Sequence, residues 1–200
     1  MLPLIYTNIW AAALFVLACL VWNVPEAVGM LKQTAKAARK DAAVADRGSL
    51  VVLLTLLWLG LALNFLLAWL APAAAIDWQR MLLLLLGIAL ILLGVALRWY
   101  AIRTLGRYFT RDVAVSAEQT VVQRGPYRLI RHPSYSGTFL TMLGVGLAMT
   151  NWASLVALLA CVFAGHLYRV RVEEQALVRA IGRPYSDYMR HTKRFIPLVF

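Results

Sequence analysis

Residues 81–100 read MLLLLLGIALILLGVALRWY, and this run decides the fold. It holds a single charged residue, Arg98, close to its end. A helix of about 20 apolar residues is long enough to cross the ~30 Å hydrocarbon layer of a membrane. Residues 4–24 and 50–70 are runs of the same kind. We therefore predict three full transmembrane helices.

Two shorter apolar segments, residues 138–149 and 153–168, follow later in the chain. Only three residues join them, which predicts a tight helical hairpin that dips into the membrane or just crosses it. The expected fold is an all-α integral membrane protein with about five membrane helices. We divide it into N-terminal transmembrane helices (1–97) and a region rich in polar motifs (98–200), both within one membrane domain.

The composition excludes several classes of protein. A hydrophobic content of 62% and a mean hydropathy of +0.72 lie outside the range of soluble globular proteins. The net charge of +11 is interleaved with long apolar runs, which is typical of the cytoplasmic side of a membrane protein and argues against nucleic-acid binding. Cys19 and Cys161 lie far apart without CxxC spacing, so we expect no metal or redox pair.

Positive charge predicts the orientation. All but Arg80 of the 20 Lys and Arg residues fall on one side if the helices alternate across the membrane. By the positive-inside rule that side is cytoplasmic, so we expect an external N-terminus and a cytoplasmic C-terminus, in a bacterial inner membrane. The first run has no basic stretch before it and no cleavage site, which predicts a retained helix. Residues 32–47 form either a short interfacial helix or a solvated linker.

A first polar motif lies between the third run and the hairpin, at residues 125–137 (GPYRLIRHPSYSG). Gly125 and Pro126 predict a turn, and Pro133 pushes His132 out of the α region and starts the next helix. A helix N-terminus with small residues and nearby arginines suits an anionic group. The alternative is a capped basic loop beside the membrane.

A second polar motif follows the hairpin. Glu173 and Glu174 are the only adjacent acids among the nine in the chain, and Arg169 lies one helical turn before Glu173. Carboxylates at the end of an apolar helix belong at the membrane surface or in a polar cavity. A plain surface ion pair is the alternative. Gly182 and Pro184 end this helix, and residues 185–194 predict a final amphipathic helix.

Together the two motifs resemble the isoprenylcysteine carboxyl methyltransferase family and, more widely, the membrane phospholipid methyltransferases. The resemblance rests on GPYRLIRHPSYSG, the hairpin and EEQALVRAIGRPYSDYMRHTKRFIP at residues 173–197. It covers residues 98–197, including LGRYFT at residues 105–110. One departure is Gln119, where relatives often have a histidine.

The resemblance implies a methyltransferase that uses S-adenosylmethionine. By position it assigns to cofactor binding Gly125, Tyr127, Arg131, His132, Pro133, Tyr135, Gly137, Glu173 and Glu174. It also matches Tyr185 and Tyr188 to family tyrosines. We expect Arg169, Glu173 and Arg194 to be the catalytic residues, with one of the two arginines holding an anionic acceptor.

We expect a lipid-like acceptor that enters from the bilayer. A prenyl-type carboxylate is the first choice, and a phospholipid amine or a hydrophobic thiol stays open. Two rival functions are an NADPH-dependent enzyme similar to sterol reductases and a non-catalytic membrane protein. His166 and His191 have no ligand spacing to each other or to cysteine, so we assign them no chemistry and expect no metal site.

Overall fold

The computed structural model describes residues 2–37, 43–44, 46–110, 114–115 and 120–196. Seven α-helices make up most of this part of the chain. They are α1 (Leu4–Thr7), α2 (Ile9–Ala37), α3 (Ser49–Leu70), α4 (Arg80–Leu105), α5 (Pro133–Ala148), α6 (Trp152–Ile181) and α7 (Arg183–His191). Short 3₁₀ turns cover Pro72–Ala74, Gly106–Tyr108 and Gly125–Arg128. The prediction of an all-α fold is confirmed.

Among the described residues, four helices are long and apolar enough to cross a membrane: α2, α3, α4 with the turn that follows it, and α6. The protein is therefore an integral membrane protein, as its sequence predicts. The hairpin is formed by α5 and α6, and each helix extends from its predicted apolar segment toward the polar motifs, to the ends that Pro133 and Gly182 predict. With 16 residues, α5 is shorter than the other membrane helices.

The first helix differs from its predicted bounds of 4–24. It breaks at Asn8, whose side-chain Oδ1 accepts hydrogen bonds from the backbone N–H groups of Trp10 and Ala11. From Ile9 the helix α2 continues to Ala37 and includes Pro25. The first part of the basic stretch predicted at residues 32–47 is thus a continuation of α2, and part of the rest lies outside the described residues.

Two pairs of glycines bring α4 and α5 into backbone contact. A Cβ atom added at Gly87 would lie 2.6 Å from the carbonyl oxygen of Gly144, and one added at Gly137 would lie 2.7 Å from that of Gly94. These contacts recur seven residues apart along each helix, so the two helix axes stay close over two turns. Small residues at a helix interface replace the hydrophobic effect as the basis of packing inside a membrane.

The core joins the N-terminal and C-terminal halves of the chain. Phe15 of α2, Ile91 of α4, Met142 of α5 and Leu158 of α6 are members of one buried cluster. The helix α3 packs along α6, where Gly60 lies against Leu158. The bundle is therefore a single packed unit.

The connections lie at two ends of this bundle. At one end, the α2–α3 connection meets the α4–α5 connection, and their strands β1 (Ala43–Val44) and β2 (Ala114–Val115) pair antiparallel. We call this end of the bundle the site end. At the opposite end, the α3–α4 and α5–α6 connections meet, where the N–H of Ile76 donates to the carbonyl of Thr150. Both polar motifs of the sequence lie at the site end.

Candidate active site

The first motif folds as its local sequence predicts. Gly125 has a φ of +56° and opens the 3₁₀ turn Gly125–Arg128. His132 has φ −123° and ψ 56°, outside the α region, and Pro133 is the first residue of α5. The motif is therefore a turn followed by a helix start, and it presents its side chains between α4 and α6.

The C-terminal segment returns to pair with this motif. The N–H of Arg131 donates to the carbonyl of Lys193 at 2.8 Å, and the N–H of His132 donates to that of Arg194 at 3.0 Å. The hydroxyl of Ser136 donates to the carbonyl of Phe195 at 2.7 Å. Nothing in the local sequence predicts these contacts, because they join residues about 60 positions apart.

A buried ionic network centres on Glu174. Its Oε1 accepts from Nε of Arg131 at 2.8 Å, and its Oε2 accepts from Nη2 of Arg194 at 2.8 Å. Nε2 of His132 lies 3.4 Å from Oε1. The guanidinium of Arg131 also donates to the backbone carbonyls of Met189 and Thr192. Glu174 thereby ties α6 to the first motif and to the C-terminal segment.

Its neighbour Glu173 has a different environment. The side chain of Glu173 is 29% exposed, against 5% for Glu174. The hydroxyl of Tyr135 donates to Oε2 of Glu173 at 2.8 Å, and Nδ1 of His132 lies 3.8 Å from the same oxygen. Glu173 is therefore a carboxylate that is held in place and yet accessible.

Arg169, one helical turn before Glu173, is 2% exposed. Its Nε donates to the hydroxyl of Tyr135 at 3.4 Å. Its Nη1 donates to Oδ1 of Asp46 and, at 2.7 Å, to the hydroxyl of Ser49. Burial by itself raises the pKa of Asp46, but the N–H of Leu50, the charge of Arg169 and the hydroxyl of Ser49 outweigh it and lower that pKa below its ordinary value.

These residues surround a cavity whose empty volume is about 830 Å³, including space open to solvent. Its polar wall comes from both motifs, and its apolar wall comes from the ends of α4 and α6 and from the chain between α4 and α5. The polar residues of the first motif in the wall are Tyr127, Arg131, His132, Ser134 and Tyr135. The second motif contributes Arg169, Glu173, Tyr185 and Tyr188, and the apolar residues are Leu105, Phe109, Val121, Val122, Leu177 and Ile181.

The predicted site residues thus fall into two groups. Six of them line the cavity: Tyr127, Arg131, His132, Tyr135, Arg169 and Glu173. The others lie outside its lining and make structural contacts, so their assigned roles stay predictions. Glu174 and Arg194 form the ionic network behind the wall, Gly125 makes the turn, Pro133 starts α5, and Gly137 packs against α4.

Three tyrosines of the site are buried. Tyr188 donates its hydroxyl to the carbonyl of Tyr127 at 2.6 Å, and burial raises the pKa of Tyr188 to about 12. Burial also raises the pKa of Tyr127 and Tyr185 above their ordinary value, and the charge of Glu173 adds to both shifts. All three stay neutral hydroxyls at physiological pH.

The remaining sequence predictions concern histidines and Gln119. His166 is 2% exposed, and its ring lies 5.1 Å from the rings of both Tyr135 and Phe139. It packs directly behind the site, whereas His191 is exposed on α7. Gln119 lies outside the described residues. Within the described part of the chain, no three His, Cys, Asp or Glu side chains are grouped so that they could hold a metal ion.

Sequence reasoning missed Asp46 and Ser49. Both lie more than 100 residues before Arg169, outside either motif. The one available signal was an acid followed by a serine at the start of a predicted helix, which is a common capping pattern and carries no functional meaning by itself.

Comparison with known proteins finds one matching family and several similar proteins. Residues 85–179 match the isoprenylcysteine carboxyl methyltransferase (ICMT) family. Protein-S-isoprenylcysteine O-methyltransferase B of Arabidopsis thaliana is 34% identical over 115 residues, which are 56% of this chain and 58% of that protein. Cobalt-zinc-cadmium resistance protein CzcN of Cupriavidus metallidurans is 36% identical over 124 residues, which are 60% of this chain and 52% of that protein.

A solved structure is also similar. The eukaryotic intramembrane Ras methyltransferase ICMT, without a monobody, superposes with a TM-score of 0.54 and 29% sequence identity, over 70% of this chain and 50% of that one. This chain therefore spans 50–58% of the length of these three proteins. The matched region contains both polar motifs except the C-terminal part of the second.

Proposed function

Because residues 85–179 of this chain belong to the isoprenylcysteine carboxyl methyltransferase family, we propose that the protein transfers a methyl group from S-adenosylmethionine to a lipid-like acceptor. A prenyl-type carboxylate is the acceptor that fits best. The observation that carries the proposal is the cavity, since Tyr127, Tyr135 and His132 of the first motif face Glu173 of the second across it. The cavity would then lie on the cytoplasmic side of the membrane.

The residues around the cavity suit this cofactor. S-adenosylmethionine, when bound, supplies a methyl group activated by a sulfonium. The partly exposed carboxylate of Glu173 suits the cofactor's ammonium group or its ribose hydroxyls. The rings of Tyr127 and Tyr185 offer flat apolar surfaces for an adenine, and Leu177 extends that surface.

A carboxylate acceptor is already anionic, so its methylation needs no general base. The protein then has to bind the cofactor and the acceptor, align them and exclude water from the cavity. Arg169 is paired with Asp46, but it lies in the cavity wall and is therefore our candidate to hold an anionic head group. Arg194, the other arginine predicted for this role, is paired with Glu174 and acts through that pair instead.

The cofactor is tested by binding S-adenosylhomocysteine, the expected product, to the purified protein. We expect it to raise stability by about 2.7 kcal/mol at a hundredfold excess over Kd. NADPH is the control ligand, because a sterol-reductase-like enzyme would bind it instead. A thermal shift with NADPH and none with S-adenosylhomocysteine would overturn the proposal.

The proposal of a lipid-like acceptor is tested by varying the length of the acceptor's apolar tail. Moving a prenyl chain from lipid into water costs ~0.8 kcal/mol per CH₂, so we propose that the acceptor reaches the cavity from within the bilayer. Activity should then rise with tail length among carboxylates that share one head group. Equal turnover of acceptors with and without a tail would show entry from water instead.

A further inference from the structure

We propose that Asp46, in the connection before α3, is a positioning residue of the active site. It fixes Arg169 and, through Arg169 and Tyr135, keeps the Glu173 carboxylate directed at the cavity. The inference rests on the proposed function, because it takes Glu173 to bind the cofactor. It extends the site to a part of the chain that neither polar motif includes.

Asp46 makes two kinds of contact. Its Oδ2 accepts from the backbone N–H of Leu50 at 3.1 Å, which caps the start of α3. Its Oδ1 accepts from the hydroxyl of Ser49 at 3.0 Å and from the guanidinium of Arg169. The same carboxylate therefore caps the start of α3 and neutralises the buried guanidinium of Arg169 on α6.

The second link runs from Arg169 into the cavity. The guanidinium donates to the hydroxyl of Tyr135, and that hydroxyl donates to Glu173 at 2.8 Å. Tyr135 is therefore oriented from one side by a cation and from the other by the carboxylate that faces the cavity. A chain of hydrogen bonds of this kind transmits a change at one end to the other.

The importance of Asp46 follows from what Arg169 would do without it. A buried guanidinium that loses its counterion is costly, so it moves to the nearest available carboxylate. On α6 that carboxylate is Glu173, one turn away on the same helix face. Pairing with Arg169 would draw Glu173 back from the cavity. Asp46 prevents this by holding Arg169 on the side of α3.

The test separates positioning from helix capping. Asp46→Asn keeps a side-chain oxygen that can cap α3, but it removes the charge that holds Arg169. We expect its melting temperature to stay near that of the wild type while its affinity for S-adenosylhomocysteine falls about tenfold, measured by titration calorimetry. Asp46→Glu keeps the charge and should recover most of that affinity. Asp77→Asn, at an exposed acid of the opposite end, is the matched control and should leave affinity unchanged.

A double variant tests the route. If Asp46 acts by keeping Arg169 away from Glu173, then Asp46→Asn combined with Glu173→Gln should bind no more weakly than Glu173→Gln alone. Should Asp46→Asn fail to fold, Ser49→Ala loosens the same guanidinium and should lower affinity about threefold. Wild-type affinity in a folded Asp46→Asn or Ser49→Ala variant would overturn the inference. Absence of binding to the wild-type protein would instead overturn the proposed function.

Discussion

The two ends of the helix bundle use different chemical groups to join their helices and connections. At the opposite end, Asn151 caps α6 by accepting from the N–H of Ser154 and donates its amide to the carbonyl of Ala71 at 2.8 Å. At the site end, Glu174 holds Arg131 and Arg194 in a buried ionic network. At this point of the opposite end, neutral amide and backbone contacts join the two connections.

Joining the helices therefore does not explain why charged groups are buried at the site end. Burying ions costs several kcal/mol each, and well-packed apolar residues often give equal or better stability. Such a cost is expected where the charged groups bind and orient a ligand. The comparison predicts that variants of the site end affect ligand binding, and that variants of the opposite end affect stability alone.

The largest effect should come from Glu174→Ala. It leaves the buried guanidinium of Arg131 and the partly exposed one of Arg194 without their shared partner, so the free energy of unfolding should fall by about 3–5 kcal/mol. Unfolding by SDS in mixed micelles measures it. Glu173→Ala is the matched control, since its carboxylate is more exposed and should cost less. Equal losses for the two variants would show that the Glu174 network does not hold the site end together.

The second-largest effect should be on the binding of S-adenosylhomocysteine. His132→Ala and Glu173→Gln should each weaken S-adenosylhomocysteine binding by about 1–3 kcal/mol, because each removes a partner from a desolvated polar site. Titration calorimetry measures this directly. His191→Ala is the control, since that side chain is exposed on α7. His166 is unsuitable as a second control, because truncating it would open a gap behind Tyr135. Equal affinities of the three variants would contradict the assignment of the cavity.

At the opposite end, Asn151→Ala should lower stability by about 1–2 kcal/mol, the value of a helix cap and one further hydrogen bond. Affinity for S-adenosylhomocysteine should stay at the wild-type value, because no charged group of the site changes. Measuring the unfolding and the ligand binding of this one variant shows whether stability and affinity change separately. A clear loss of affinity in this variant would mean that the two ends are coupled.

The smallest effect concerns alkaline pH. The folded pKa of Tyr188 is about 12, above its ordinary value of 10.0, so its contribution to stability is complete below pH 10 and is lost as the pH rises toward 12. Melting temperatures between these limits should fall less steeply in Tyr188→Phe, which has no ionisable hydroxyl. The opposite-end variant Asn151→Ala should keep the wild-type slope. Parallel slopes for all three proteins would contradict the burial of this hydroxyl.

Much of the fold could be predicted from periodicity and length. The runs at 50–70 and 81–100 became α3 and α4, and Pro133 and Gly182 mark the start of α5 and the end of α6, as predicted. The break at Asn8 could not be foreseen, because asparagine is tolerated within apolar helices and its capping role depends on the local backbone. The division at residue 97 stays a prediction, although one core cluster joins both sides of it.

The candidate site was predictable in its members but not in their roles. Adjacent Glu173 and Glu174 look equivalent in the sequence, yet one faces the cavity and the other is buried in an ionic network. Gly137 packs against Gly94, a contact that the sequence did not suggest, and its assignment to the cofactor stays a prediction. Consecutive residues of a helix point about 100° apart, so the neighbouring elements decide what each one meets.

The sequence by itself determined the membrane helices, the start of α5, the end of α6 and the two motifs, because apolar length, proline and glycine act through local physics. Only the tertiary structure decided that the C-terminal segment pairs with the first motif, and that Asp46 reaches Arg169 across 123 positions. Such contacts depend on how separate helices pack. The glycine contacts of α4 with α5 and the packing of α3 along α6 set those distances, and a single sequence does not encode them in any local pattern.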